Sequence, residues 1–132
     1  MISNICIIED SVVERKILKS ILNDPIFKYF ENPKQFLEYL DTNKNIKIDL
    51  IITDNIQPFY TGLELAKILR VNYKLYFLPI ILLSGSNFEL PDNIYTYINS
   101  FVLKPSNISE YKVILENIIN YWTNINIRIP TL

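Results

Sequence analysis

The stretch DLIITD, residues 49–54, decides the fold. Between its two acids stand Leu50, Ile51, Ile52 and Thr53, with no strict alternation of apolar and polar side chains. A strand with one face in water alternates; a nearly unbroken run is what a strand needs when helices cover both of its faces, as in a parallel sheet. Runs of the same kind recur on either side, at residues 5–8 (ICII), 79–84 (PIILLS) and 101–103 (FVL). A fifth candidate, residues 26–30 (IFKYF), follows Pro25 and sets Lys28 between apolar neighbours, the pattern of a shorter strand nearer a sheet edge.

Helical patterns fill the intervals. Val13, Ile17, Leu18, Ile21 and Leu22 repeat at helical spacing after Ser11, an N-cap residue. Asn32 followed by Pro33 is a cap with proline at the first helical position, leading into Phe36, Leu37 and Leu40. Leu63, Ala66 and Leu69 continue from Gly62. Tyr111, Ile114, Leu115, Ile118, Ile119 and Trp122 draw one apolar stripe that starts near Asn107 or Ser109 and needs a sheet to cover. Pro91 restricts any helix in residues 87–99 to a short one after Leu90. Residues 124–132 form a C-terminal tail in which Ile125, Ile127 and Ile129 alternate with polar residues up to Pro130, suiting either an edge strand or a free end. Strand and helix thus alternate five times, which predicts an α/β, doubly wound, five-stranded parallel sheet with five helices and right-handed crossovers.

Composition narrows the chemistry. A chain of 132 residues is one domain of ordinary size, able to bury a core without disulfide or structural metal. It has no histidine, which excludes a Ser-His-Asp triad and a histidine-ligated zinc. Its two glycines, Gly62 and Gly85, stand far apart, so neither a Walker loop nor a GxGxxG turn can be written. The lone cysteine, Cys6, lies in an apolar run and suits a reducing, cytoplasmic setting. A net charge of −1 with scattered lysines gives no electrostatic footprint for direct nucleic-acid binding. No apolar stretch approaches the roughly 18 residues of a membrane span, and no signal-type segment opens the chain.

In a doubly wound sheet the ligand crevice lies outside the carboxyl ends of the strands. Those ends carry Glu9 and Asp10, Asp54, Ser84, and Lys104 with Pro105. Carboxylates ~4 Å apart repel by roughly 4 kcal/mol at an effective dielectric near 20, so Glu9, Asp10 and Asp54 call for cations. Lys104 is one. A hard divalent ion such as Mg²⁺, which takes oxygen ligands and commonly shares them with a phosphate, is the other.

These residues carry a resemblance. The acid pair Glu9-Asp10 followed by Ser11 and Arg15, the run DLIITD ending in Asp54, Pro58 and Gly62 beyond it, LLSGS with Ser84, and FVLKP with Phe101, Lys104 and Pro105 together resemble the receiver domain of two-component response regulators. The resemblance implies a flavodoxin-like (βα)5 fold over residues 1–123. It also implies roles. Asp54 would accept a phosphoryl group from a sensor histidine kinase or a histidine phosphotransfer protein. Glu9, Asp10, Asp54 and the backbone carbonyl of Ile56 would hold Mg²⁺. Lys104 would neutralise the transferring oxygens, Ser84 would hydrogen-bond the attached group, and Phe101 would turn inward as the switch.

Departures from the family's commonest pattern are Gln57 for an apolar residue, Ser84 for threonine and Phe101 for tyrosine. Ile56 and Ser86 occupy the two positions that tune acyl-phosphate hydrolysis in this family, and neither can position an attacking water as well as a carboxamide or carboxylate could, so autodephosphorylation is expected to be slow. The expected function is a stand-alone receiver, not a metabolic enzyme, that switches a protein-binding surface for a downstream target. A homodimer through the fourth helix, fifth strand and fifth helix, where Phe88, Ile94, Tyr95, Tyr97 and Phe101 fall, is a further expectation. A phosphorelay intermediate and a receiver fragment of a hybrid kinase are the alternatives. An Asp-dependent phosphatase is disfavoured, because the position two past Asp54, where a general acid would stand, is Ile56.

Overall fold

In a computed structural model, residues 4–85 and 93–125 are described. Five strands, β1 (Ile5–Ile8), β2 (Phe27–Phe30), β3 (Leu50–Asp54), β4 (Ile80–Ser84) and β5 (Ser100–Leu103), form one sheet of order β2-β1-β3-β4-β5, and every pairing is parallel. The four α-helices among the described residues are α1 (Val12–Ile21), α2 (Pro33–Thr42), α3 (Gly62–Val71) and α4 (Ile108–Asn120). The doubly wound, flavodoxin-like architecture is the one expected. It differs in helix count: where a fourth of five helices was expected, the described residues hold only a 3-10 turn at Ile94–Thr96, and α4 is the helix expected as the fifth. Residues 86–92, which include Pro91 and most of that expectation, lie outside the described residues.

The apolar runs are explained by two cores. Cys6, Ile8, Ile51, Ile80 and Leu82 point to one face, where Phe36, Leu40, Leu65 and Leu69 of α2 and α3 cover them. Ile5, Ile7, Leu50, Ile52, Ile81 and Leu83 point to the other and meet Leu18 of α1 with Tyr111 and Leu115 of α4. Successive side chains therefore alternate between two buried surfaces rather than between core and water, which is why β1, β3 and β4 carry no polar alternation. β2, at one edge, is only partly buried up to Phe30, as Lys28 implies.

Each helix starts on its own capping residue. The side chains of Ser11, Asn32, Thr61 and Asn107 accept from the main-chain N–H of Glu14, Gln35, Glu64 and Glu110 respectively, and Thr61 with Glu64 completes a capping box. Gly62 is required by space and not by its φ, which is negative. A Cβ there would sit 2.6 Å from the Asp54 carbonyl oxygen and 3.1 Å from Asn55 Cα. Beyond α4, Tyr121–Ile125 wind on as a π-helical turn. Residues 126–132 lie outside the described residues.

Among the described residues no helix is long and apolar enough to cross a membrane.

Candidate phosphoacceptor site

β1 lies between β2 and β3, so the chain leaves it in one direction and returns on the other side; the carboxyl ends of β1 and β3 flank this switch in strand order. Glu9 and Asp10 follow β1, and Asp54 closes β3. One carboxylate oxygen from each of the three lies within 4.8 Å of the others. Lys104, just past β5, reaches back to them: Nζ is 3.0 Å from Glu9 Oε1, 3.5 Å from Asp54 Oδ1 and 4.0 Å from Glu14 Oε2. Its own N–H donates to the Ser84 carbonyl at 2.8 Å, which ties β5's end to β4's. The buried Ser84 side chain and the half-buried Phe101 follow at the carboxyl end of β4 and within β5.

Main-chain donors aim the acids. Glu9 Oε2 accepts from Ser11 N at 3.1 Å, and Asp54 Oδ1 from Asn55 N at 2.9 Å. Arg15 donates to the carbonyls of Glu9 and Asp10 at 2.8 and 3.0 Å, fixing the turn that carries the acid pair. Burial pushes the Glu9 and Asp54 carboxyls above their ordinary range, and Lys104 offsets this only in part. Burial also works against the Lys104 ammonium, yet Glu9, Asp54 and Glu14 together hold its proton more tightly than water would. Three carboxylates against one bridging ammonium leave a site whose donors are all hard oxygens, a chemistry that fits Mg²⁺.

The residues that sequence reading assembled at this edge, Glu9, Asp10, Asp54, Ser84 and Lys104, all stand there. Ile56 lies beside Asp54 with an exposed side chain, and Phe101 packs against the α2–α3 core. Of the expected aromatic face, Tyr95 is exposed and Tyr97 half-buried. Phe88 and Ser86, and the side chain of Ile94, lie outside the described residues.

Three contributors were not anticipated. Asn55 clamps the β3–α3 loop: its carbonyl accepts from Gly62 N at 2.8 Å and its side-chain oxygen from Leu63 N at 3.3 Å. Gln57, legible only as an oddity, donates from Nε2 to Thr53 Oγ1 and to the Asp54 carbonyl. Tyr111, read as part of an apolar stripe, buries its hydroxyl on the other face, where Glu14, Glu9 and Asp54 add to the effect of burial in raising its pKa. Gln57 Oε1 and the Tyr111 hydroxyl are the buried side-chain polar atoms without a hydrogen-bond partner among the described residues.

Residues 5–116 match the response regulator receiver domain family. The chain belongs to that family. It is 34% identical over 129 residues to the probable transcriptional regulator Ycf29 of Cyanophora paradoxa, covering 96% of this chain and 60% of that one. To the two-component response regulator ARR15 of Arabidopsis thaliana it is 27% identical over 121 residues, 83% of this chain and 59% of that one. The receiver thus spans about 60% of the length of these relatives. Among solved structures, the phosphorylated cyanobacterial phytochrome response regulator RcpA superposes with a TM-score of 0.82 at 21% identity, over 98% of this chain and 100% of that one. The Mg²⁺–BeF complex of the response regulator TrrA from Thermotoga maritima does so with a TM-score of 0.69 at 26% identity, over 87% and 97%. Receiver domains of this family are signalling domains of two-component systems.

Proposed function

We propose that this receiver takes a phosphoryl group onto Asp54 from a sensor histidine kinase or a histidine phosphotransfer protein and thereby changes a protein-binding surface. The observation that carries the reading is Lys104 Nζ bridging Glu9 and Asp54 in a cluster that Asp10 completes. Glu9, Asp10 and Asp54, with the main-chain carbonyl of Ile56, would hold the divalent ion. When bound, that ion supplies positive charge to the phosphoryl oxygens, which is most of what phosphoryl transfer requires of its surroundings.

The remaining work falls to the chain's own groups. The Asp54 carboxylate oxygen not taken by Asn55 N attacks phosphorus, and the donor's bond to phosphorus breaks as the acyl phosphate forms. The Lys104 ammonium faces the oxygens on which charge builds. Ser84 offers a hydroxyl to the attached group from the neighbouring strand end, and Phe101, one strand further, follows that shift by packing more deeply, so that a local charge event alters the outer surface of β5. Ile56 beside Asp54 offers no group to orient a hydrolytic water, which supports a long-lived acyl phosphate.

The receiver unit is assigned to residues 1–123, with 124–132 as its tail, and the setting is cytoplasmic. Its output is a downstream protein partner, and a homodimer through β5 and the helices beside it is a second form that output could take. Incubation with Mg²⁺ and acetyl phosphate is expected to add one phosphoryl group by mass, abolished in Asp54→Asn. A persistent single adduct in Asp54→Asn, or none in the wild type, refutes the reading. Transfer from the phosphorylated chain to a histidine phosphotransfer protein would mark a relay intermediate instead.

A further inference from the structure

Gln57 stands three residues past Asp54, and its side chain folds back onto the strand end. Nε2 donates to the Asp54 carbonyl oxygen and to Thr53 Oγ1, both at 2.7 Å, while Thr53 Oγ1 donates to the same carbonyl at 3.0 Å. The β1–β3 register has ended one residue earlier, with Ile8 opposite Thr53, and side chains meet the Asp54 carbonyl where the ladder stops.

The other half of the carboxamide, Oε1, is buried without a donor among the described residues. A side chain there only to fill space would do better as methionine or leucine, which leave no acceptor stranded. The value of the carboxamide therefore lies in what Nε2 holds. It closes residues 54–57 into a loop, and Ile56, whose main chain makes no hydrogen bond among the described residues, lies inside that closure.

We infer that Gln57 is a positioning residue for the divalent-cation site: by tying the Asp54 carbonyl it holds the main chain where the Ile56 carbonyl can serve the ion. The inference rests on the reading of Glu9, Asp10, Asp54 and Ile56 as the ion's protein ligands.

The test measures Mg²⁺ affinity by calorimetry alongside the melting temperature of the metal-free protein. Loss of a group that orients a metal ligand commonly weakens binding by 10- to 100-fold, so Gln57→Met is expected to weaken Mg²⁺ about tenfold. Its metal-free melting temperature is expected to be equal to or above that of the wild type, because the stranded acceptor is gone. A packing role alone would lower the melting temperature and leave affinity untouched. Gln57→Asn keeps a carboxamide one methylene too short to span both acceptors and should lose affinity similarly.

Should neither variant fold, hydrogen exchange of the Gln57 side-chain amide in the wild type decides: protection supports the tie, and exchange at the free-amide rate overturns it. Unchanged Mg²⁺ affinity in Gln57→Met, with the wild type binding, overturns this inference alone. A wild type that binds no Mg²⁺ overturns it together with the reading beneath it.

Discussion

Replacing Lys104 by alanine isolates the electrostatics of the site. The side chains of Lys104, Glu9 and Asp54 are 11%, 3% and 15% exposed, so the three charges meet largely out of water. At 3.0 and 3.5 Å, each contact is worth roughly 5 kcal/mol of attraction for an effective dielectric near 20, before the cost of desolvation. Removing one member of a buried pair typically costs about 3–5 kcal/mol, because the other charge is left uncompensated. The partial exposure of Asp54 places this case near the lower figure, about 3 kcal/mol. At roughly 4 °C per kcal/mol for a domain of this size, Lys104→Ala should melt about 12 °C below the wild type in metal-free buffer. Adding Mg²⁺ should recover more stability in the variant than it adds to the wild type, since the same carboxylates then lack their bridging ammonium. Calorimetry of both proteins with and without 10-millimolar-range Mg²⁺ checks this. Equal metal-free melting temperatures would refute the argument, for they would mean that Lys104 does not balance the cluster.

The carboxyls set a pH dependence. The Glu9 and Asp54 pKa values are raised on folding, so the native state holds these protons more tightly than the unfolded chain; the stability they contribute is full below the ordinary carboxylate value and is lost as pH rises through the folded one. Metal-free Asp54→Asn should therefore be at least as stable as the wild type at neutral pH and should fall less on going up from pH 4, as denaturant titrations at several pH values will show. Gly62→Ala forces a Cβ against the Asp54 carbonyl and Leu82; overpacking of this kind costs about 1–3 kcal/mol, and urea titration reads it directly. Burial pushes the Cys6 thiol up to about 12. A thiol reagent at pH 8 should thus label Cys6 only in denaturant, and rapid labelling of the native protein would contradict its place in the core.

Much of this was legible in local pattern. Leu50 to Thr53 announced a strand buried on both faces, and Ser11, Asn32 and Asn107 announced helix starts, because capping and periodicity act over a few residues. The helix expected after Leu90 was not so readable: among the described residues that stretch holds a 3-10 turn at Ile94–Thr96. Tyr121–Ile125 wind as a π-helical turn although Ile125 begins an alternating run, since the helix before them already carries the chain along the sheet. Tyr111 illustrates the same limit: its ring belongs to the stripe, as read, but the hydroxyl's place near the acids depends on how α4 lies over β1 and β3.

What the sequence by itself determined is the layered parallel sheet and the edge at which its acids gather. Continuous apolar runs permit few other folds, and the crossover rule then puts every strand's carboxyl end on one side. Only the tertiary structure decided that Lys104 grips Glu9 across 95 residues, that Gly62 must leave room for the Asp54 carbonyl, and that Gln57 reaches back to hold it. Those are matters of side-chain direction at fractions of an ångström, set by strand register and loop path, and no local periodicity encodes them.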